Sequence, residues 1–96
     1  MTSRDTYVAK MKLQLDELND RLSEMEAKAK VTRAEVSAGY RADMERLHAQ
    51  SREAVGKLEE LRQAGEDSWE SLVAEADKLR QAFSHAFSDF QTHMAR

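Results

Sequence analysis

The chain has 96 residues, with 15 Lys+Arg against 18 Asp+Glu, so its formal net charge is −3. It contains no Pro, no Cys and three Gly. That length allows one small domain. The missing Cys exclude disulfide scaffolds, Cys-based zinc sites and thiol nucleophiles, and the scarcity of Pro and Gly argues against a multi-stranded β-fold or a phosphate-cradling loop.

A mildly acidic balance argues against nucleic acid as a partner, because that affinity rests on Lys and Arg neutralising phosphates. Charges stud the first twenty residues, unlike a signal peptide, and no apolar run approaches membrane-spanning length. The expected compartment is the cytoplasm.

In chain order, the first block runs from about 3 to 63 and reads as one long helix. Thr2 and Asp5 give a weak start signal. Its seam is Val8, Met11, Leu15, Leu18, Leu22, Met25, Ala29, Thr32, Val36, Tyr40, Met44, Leu47, Ser51, Ala54, Leu58 and Leu61. The steps alternate three and four, the heptad pattern of a coiled coil, with one irregularity near Gly39. Exposed faces carry Glu17→Arg21, Glu24→Lys28, Glu26→Lys30 and Glu53→Lys57, spacings that favour helix by about 0.2–0.5 kcal/mol each.

The punctuation is Ala64-Gly65-Glu66-Asp67. Gly65 suits a left-handed helix end, and Asp67 suits the next N-cap, with Glu70 three residues on. A second helix is expected over about 68–95. Trp69, Leu72, Val73, Ala76, Leu79, Phe83, Ala86, Phe87, Phe90 and Met94 give it a broad apolar face. It also carries the charge imbalance, with six acids and three bases over 66–96.

Lengths of roughly 90 Å and 40 Å follow for the two helices. A hairpin would place Leu72 near Leu61, Leu79 near Ala54, Phe87 near Met44 and Phe90 near Tyr40. The seam around Leu15–Met25 would then lack cover within the chain. Seam positions pair about residue 34.5, 8 with 61, 11 with 58 and 29 with 40, as an antiparallel two-fold homodimer needs. The expected fold is therefore all-α: a long helix plus a shorter antiparallel one, completed as a coiled-coil homodimer with three to four helices. Ala34, Ser37, Ala38 and Gly39 would lie near its dyad. The same pairing fits a monomeric three-helix bundle if the first block breaks near Ser37-Ala38-Gly39. The dimer is the leading reading, because 30–40 holds one Gly, no Pro and no polar turn cluster.

Candidate chemistry is sparse. Glu45 and His48 have the E-x-x-H spacing of di-iron bundles, but Met44 and Leu47 hold the seam and leave that pair on its flank. His85, Asp89 and His93 make one stripe that could hold zinc; the ordinary reading is solvated polarity beside the phenylalanines. No serine sits in a nucleophile elbow, and no carboxylate pair is marked by a water-excluded setting. An enzyme is not expected, nor is a cofactor.

The segments Tyr7-Val8-Ala9-Lys10-Met11-Lys12, Gln14-Leu15-Asp16-Glu17 and Glu26-Ala27-Lys28-Ala29-Lys30 stand out, as do the central Tyr40, Leu58-Glu59-Glu60-Leu61 and Ala64-Gly65-Glu66-Asp67-Ser68-Trp69-Glu70-Ser71-Leu72. On these residues the chain resembles short bacterial coiled-coil proteins associated with stress responses, whose biochemical role is undefined. The resemblance spans nearly the whole chain; the aromatic stretch from Phe83 to Phe90 departs from it by its richness. It implies an intracellular bacterial protein in a stress setting and brings no catalytic residue.

The resulting expectation is a non-enzymatic homodimer serving as a structural or protein-interaction module. Its alternative is an amphipathic helix that exposes Phe83, Phe87 and Phe90 to lipid or another hydrophobic surface; the acidic polar face argues against anionic lipid.

Overall fold

A computed structural model of the chain describes residues 3–33 and 37–94, the side chains of 93 and 94 apart. Among the described residues the structure is all-helical, with α1 Ser3–Thr32, α2 Ala38–Gln63 and α3 Glu66–Met94.

The expected helix over 3–63 is thus two helices in this chain, and the physical reason lies in its middle. Arg33 adopts φ 62°, the left-handed conformation that terminates a helix and is usually taken by Gly. Just before it, the Thr32 hydroxyl donates back to the carbonyls of Lys28 and Ala29, at 3.1 and 3.4 Å. On the far side Ser37 is extended and caps α2, its Oγ accepting from the Tyr40 N–H at 3.1 Å. The expected Val36 seam position lies outside the described residues.

The second connection is shorter than expected. Ala64 is extended and donates its N–H to the Leu61 carbonyl at 3.3 Å. The Gly65 carbonyl then accepts from the Ser68 N–H at 3.3 Å. Gly65 is not left-handed, since no described Gly has positive φ. Asp67 is not the N-cap either; it lies with Glu66 in the first turn of α3, where both carboxylates complement the helix N-terminus.

The fold measures 48 × 21 × 18 Å. At 1.5 Å per residue the helices span roughly 39–45 Å, so each runs most of that length, up, down and up. The α2–α3 pair packs most closely and α1–α3 most lightly. Tyr40 and Phe90 bring their ring centroids to 5.9 Å, as the hairpin register requires, and Lys57 meets Glu75 at 2.8 Å further along it.

The seam faces inward within this single chain. Met11, Leu15, Leu22, Ala29, Met44, Leu47, Ala54, Leu58 and Leu61 are buried together with Ala76, Phe83, Phe87 and Phe90. Val8, Leu18, Met25, Tyr40, Trp69, Leu72, Val73, Leu79 and Ala86 pack partly buried against them. The uncovered Leu15–Met25 stripe of the hairpin reading is therefore covered here by the chain's own helices. Each large apolar side chain so buried stabilises by about 1.5–3 kcal/mol.

Gly39, which the dimer reading puts near the dyad, is exposed in the single chain, and a Cβ there would meet nothing within 4 Å.

Candidate functional site

Three places on this rod carry more than apolar packing. One is the end where α2 turns into α3. There the first two turns of α1 bring Arg4 and Tyr7 against Trp69. The Arg4 guanidinium lies 4.4 Å from the Trp69 ring centroid, a cation–π contact, and donates a hydrogen bond to the Ala64 carbonyl. Tyr7 packs edge-on to Trp69 with centroids 5.9 Å apart, and its hydroxyl donates to Asp77 Oδ1 at 2.6 Å. Burial first, and then the bond to Asp77, push the Tyr7 phenol well above its ordinary range.

A cleft of about 790 Å³ opens beside these residues. Val8, Ala9 and Trp69 give it apolar wall beside the buried Leu61; Arg4, Lys12 and Arg62 stand around it with Asp5 and Glu66. Lys12 pairs with Asp16 at 2.8 Å and Arg62 with Glu59 at 3.2 Å, both in solvent. Exposed pairs of this kind are worth about 0–1 kcal/mol.

The middle of the α1–α2 interface holds a polar contact that the sequence did not announce. Ser51 is buried, and its hydroxyl donates to Asn19 Oδ1 at 2.7 Å. A satisfied polar pair in an apolar seam fixes the alignment of its helices, because any slip leaves both groups unpaired. Towards the other connection, His48 Nε2 meets Glu26 Oε1 at 2.8 Å. That contact gives His48 a partner on α1 rather than a place beside Glu45, which is exposed. Glu26 thus pairs with His48 rather than with the expected Lys30, and Lys57 turns to Glu60 at 3.0 Å and Glu75 at 2.8 Å rather than to the expected Glu53. Those two hydrogen bonds, Glu75 first, raise the Lys57 pKa.

The third place is the α1–α2 connection. Val31 next to it is 85% exposed, and Arg33 holds its left-handed conformation.

Of the zinc stripe, His85 and Asp89 are exposed on α3, and the His93 side chain lies outside the described residues. Among the described residues no three His, Asp or Glu side chains gather as metal ligands would. Among them, too, no helix is long and apolar enough to cross a membrane.

The Arg4–Tyr7–Trp69 cluster was missed because a short hairpin left the start of α1 unpartnered. A signal was present: Arg4 continues the seam spacing one step before Val8. Compared with known protein families, with curated proteins and with solved structures, the chain gives no match.

Proposed function

We propose that the chain is a non-enzymatic helical interaction module that joins a second copy of itself by exchanging α1. The observation that carries this is Arg33, a non-glycine residue at φ 62° in a connection across which seam positions still recur at helical three- and four-residue steps, Ala29, Thr32, Val36 and Tyr40, with the one irregular step near Gly39. A left-handed non-glycine residue costs roughly 1–2 kcal/mol, and straightening the connection into helix removes that cost.

In the straightened form α1 and α2 become one long helix. Every contact that α1 makes with α2 within the chain then forms with the partner copy, twice over, as domain swapping requires. The Asn19–Ser51 pair sets the antiparallel register in either form. A stress setting is the context that the sequence resemblance implies.

The test places cysteines at both ends of that pair, Asn19→Cys with Ser51→Cys, and measures mass by light scattering across concentration. Exchange gives a species of twice the 11.0 kDa chain, elongated, with a disulfide between chains. Mass at 11.0 kDa with the bridge confined within one chain at every concentration overturns it.

The light α1–α3 packing favours a second reading, in which α1 swings away and α3 meets a hydrophobic surface such as lipid. It ranks lower because Phe83, Phe87 and Phe90 are 0%, 1% and 3% exposed in the closed bundle. Phospholipid vesicles that shift Trp69 emission to the blue would reverse that order.

A further inference from the structure

We infer that the α2–α3 hairpin is a docking site for an amphipathic helix of another protein, and that α1 is the resident occupant such a helix displaces. The inference rests on the release of α1 proposed above and changes only the partner.

The packing separates a receptor from an occupant. α2 and α3 pack on each other more closely than α1 packs on either, so the hairpin stays together and α1 is the part that leaves. α1 lies along it as a helix in a groove, with Met11, Leu15 and Leu22 in one buried core with Leu58, Phe83 and Phe87. The hairpin also meets α1 with polar groups spread along the groove. The Ala64 carbonyl accepts from Arg4, Asp77 accepts from the Tyr7 hydroxyl, and the Ser51 hydroxyl donates to Asn19. His48 meets Glu26 further along.

Those contacts state what the ligand must be. It is a helix antiparallel to α2, with apolar residues at steps of three and four. It carries Arg, Tyr, Asn and Glu at the spacing of Arg4, Tyr7, Asn19 and Glu26. The amide is the selective element. Ser51 is buried, and an aliphatic side chain opposite it leaves the hydroxyl without its partner in the core. α1 competes through its covalent link, which holds it at a local concentration on the order of millimolar. That link also keeps Arg33 in the left-handed conformation, and displacement of α1 frees the residue. An incoming helix meets only the fraction of chains with α1 open. Whatever weakens the resident helix therefore tightens the incoming one by the same factor.

The experiment titrates the full chain into two labelled peptides and reads fluorescence anisotropy. One peptide has the sequence of residues 3–33. The other keeps its apolar residues with Arg4, Tyr7, Asn19 and Glu26 and replaces the remaining exposed ones, which makes it a foreign helix. Both should saturate by the millimolar range. Tyr7→Phe should act with opposite signs, raising peptide affinity about fivefold when placed in the chain and lowering it about fivefold when placed in the peptide. The ring stays against Trp69, so the variant chain should fold. Failure of both peptides to saturate overturns the inference. So does a foreign peptide that binds no better than its shuffled sequence, or a Tyr7→Phe effect of the same sign in chain and peptide. Light scattering of the chain alone separates docking from exchange. Peptide binding to a chain that stays at 11.0 kDa supports docking and removes exchange, whereas a doubled mass without peptide binding removes docking and leaves exchange.

Discussion

The two connections of this bundle end its helices by opposite means. At Ala64-Gly65 the chain turns in two residues, and side chains from α1 close over the turn: Arg4 bonds the Ala64 carbonyl and covers Trp69, and Tyr7 reaches Asp77. At Arg33–Ser37 the α1 end rests on a left-handed arginine and a single serine cap. The first connection is held by long-range contacts that only the folded bundle supplies. At the second, among the described residues, the features that end one helix and start the next are local, the Arg33 conformation and the Ser37 cap, with Tyr40 just beyond them packed on Phe90. That asymmetry makes the Arg33 end the place at which the proposed exchange would open the rod.

The largest expected effect tests the seam that both connections share. Leu22 is 2% exposed between the helices, whereas Glu24 is exposed. Leu22→Asp puts an uncompensated charge in the core and should cost about 3–5 kcal/mol, enough to unfold a domain of this size. Glu24→Gln should change stability by less than about 0.5 kcal/mol. Thermal unfolding of the pair checks this. Similar melting temperatures would mean that the packed face has been misassigned, and with it both ends of the comparison.

The same seam shows how much was legible. Heptad spacing reports which face of a helix is buried, and the burial follows it from Met11 to Ala29 and from Met44 to Leu61, with Leu18 and Met25 partly buried; the seam position Thr32 is exposed, and Val36 lies outside the described residues. Spacing does not report whether the covering helix belongs to the same chain, since intramolecular and exchanged pairings bury the same residues. The break itself was hidden because the usual signal was absent. Gly65 was the expected left-handed helix end and Gly39 part of the alternative break, yet neither has positive φ, and Arg33 does. A helix can end on a residue whose identity does not advertise it when the tertiary packing of two long faces outweighs roughly 1–2 kcal/mol of local strain. The Asn19–Ser51 contact was hidden for another reason. Serine reads as a small seam residue, and only the fold brings Asn19 within 2.7 Å of it. The cleft was unreadable because a long first helix left Arg4 and Tyr7 far from any partner but a second chain.

The strained connection can be pushed both ways. Arg33→Gly removes the left-handed penalty of the compact form and penalises the straightened helix by about 1 kcal/mol. Together these should favour the compact form by about 2 kcal/mol, a shift of roughly thirtyfold in its population. Ser37→Ala acts in the opposite direction. It removes the cap that accepts from Tyr40, costing the compact form about 1 kcal/mol, and it improves helix propensity in the straightened form. Light scattering at a fixed intermediate concentration should show the mass falling with the first and rising with the second. If both variants move the mass in the same direction, or neither moves it, the connection is not the point of exchange.

The smallest effect sharpens the tied end. Tyr7→Phe keeps the ring against Trp69 and removes the hydroxyl that donates to Asp77. A part-buried hydrogen bond to a carboxylate lost in this way should cost about 1 kcal/mol near neutral pH. Its pH dependence identifies the source. The Tyr7 pKa is raised above its ordinary value of 10.0, so the folded state favours the protonated phenol. That stability is fully present below about pH 10 and is lost as pH rises towards the folded-state pKa, because the unfolded chain gives up the proton first. The natural chain should therefore lose stability above pH 10 along a limb that is shallower in Tyr7→Phe. A residual slope should persist in the variant, since Lys57 is also raised by Glu75 and Glu60 and contributes with the same sign. Melting curves from pH 8 to 11 for the two proteins measure the difference. Parallel alkaline limbs would mean that Tyr7 meets solvent in the folded chain, and that the end closed by Arg4, Tyr7 and Trp69 is no more tied than the other.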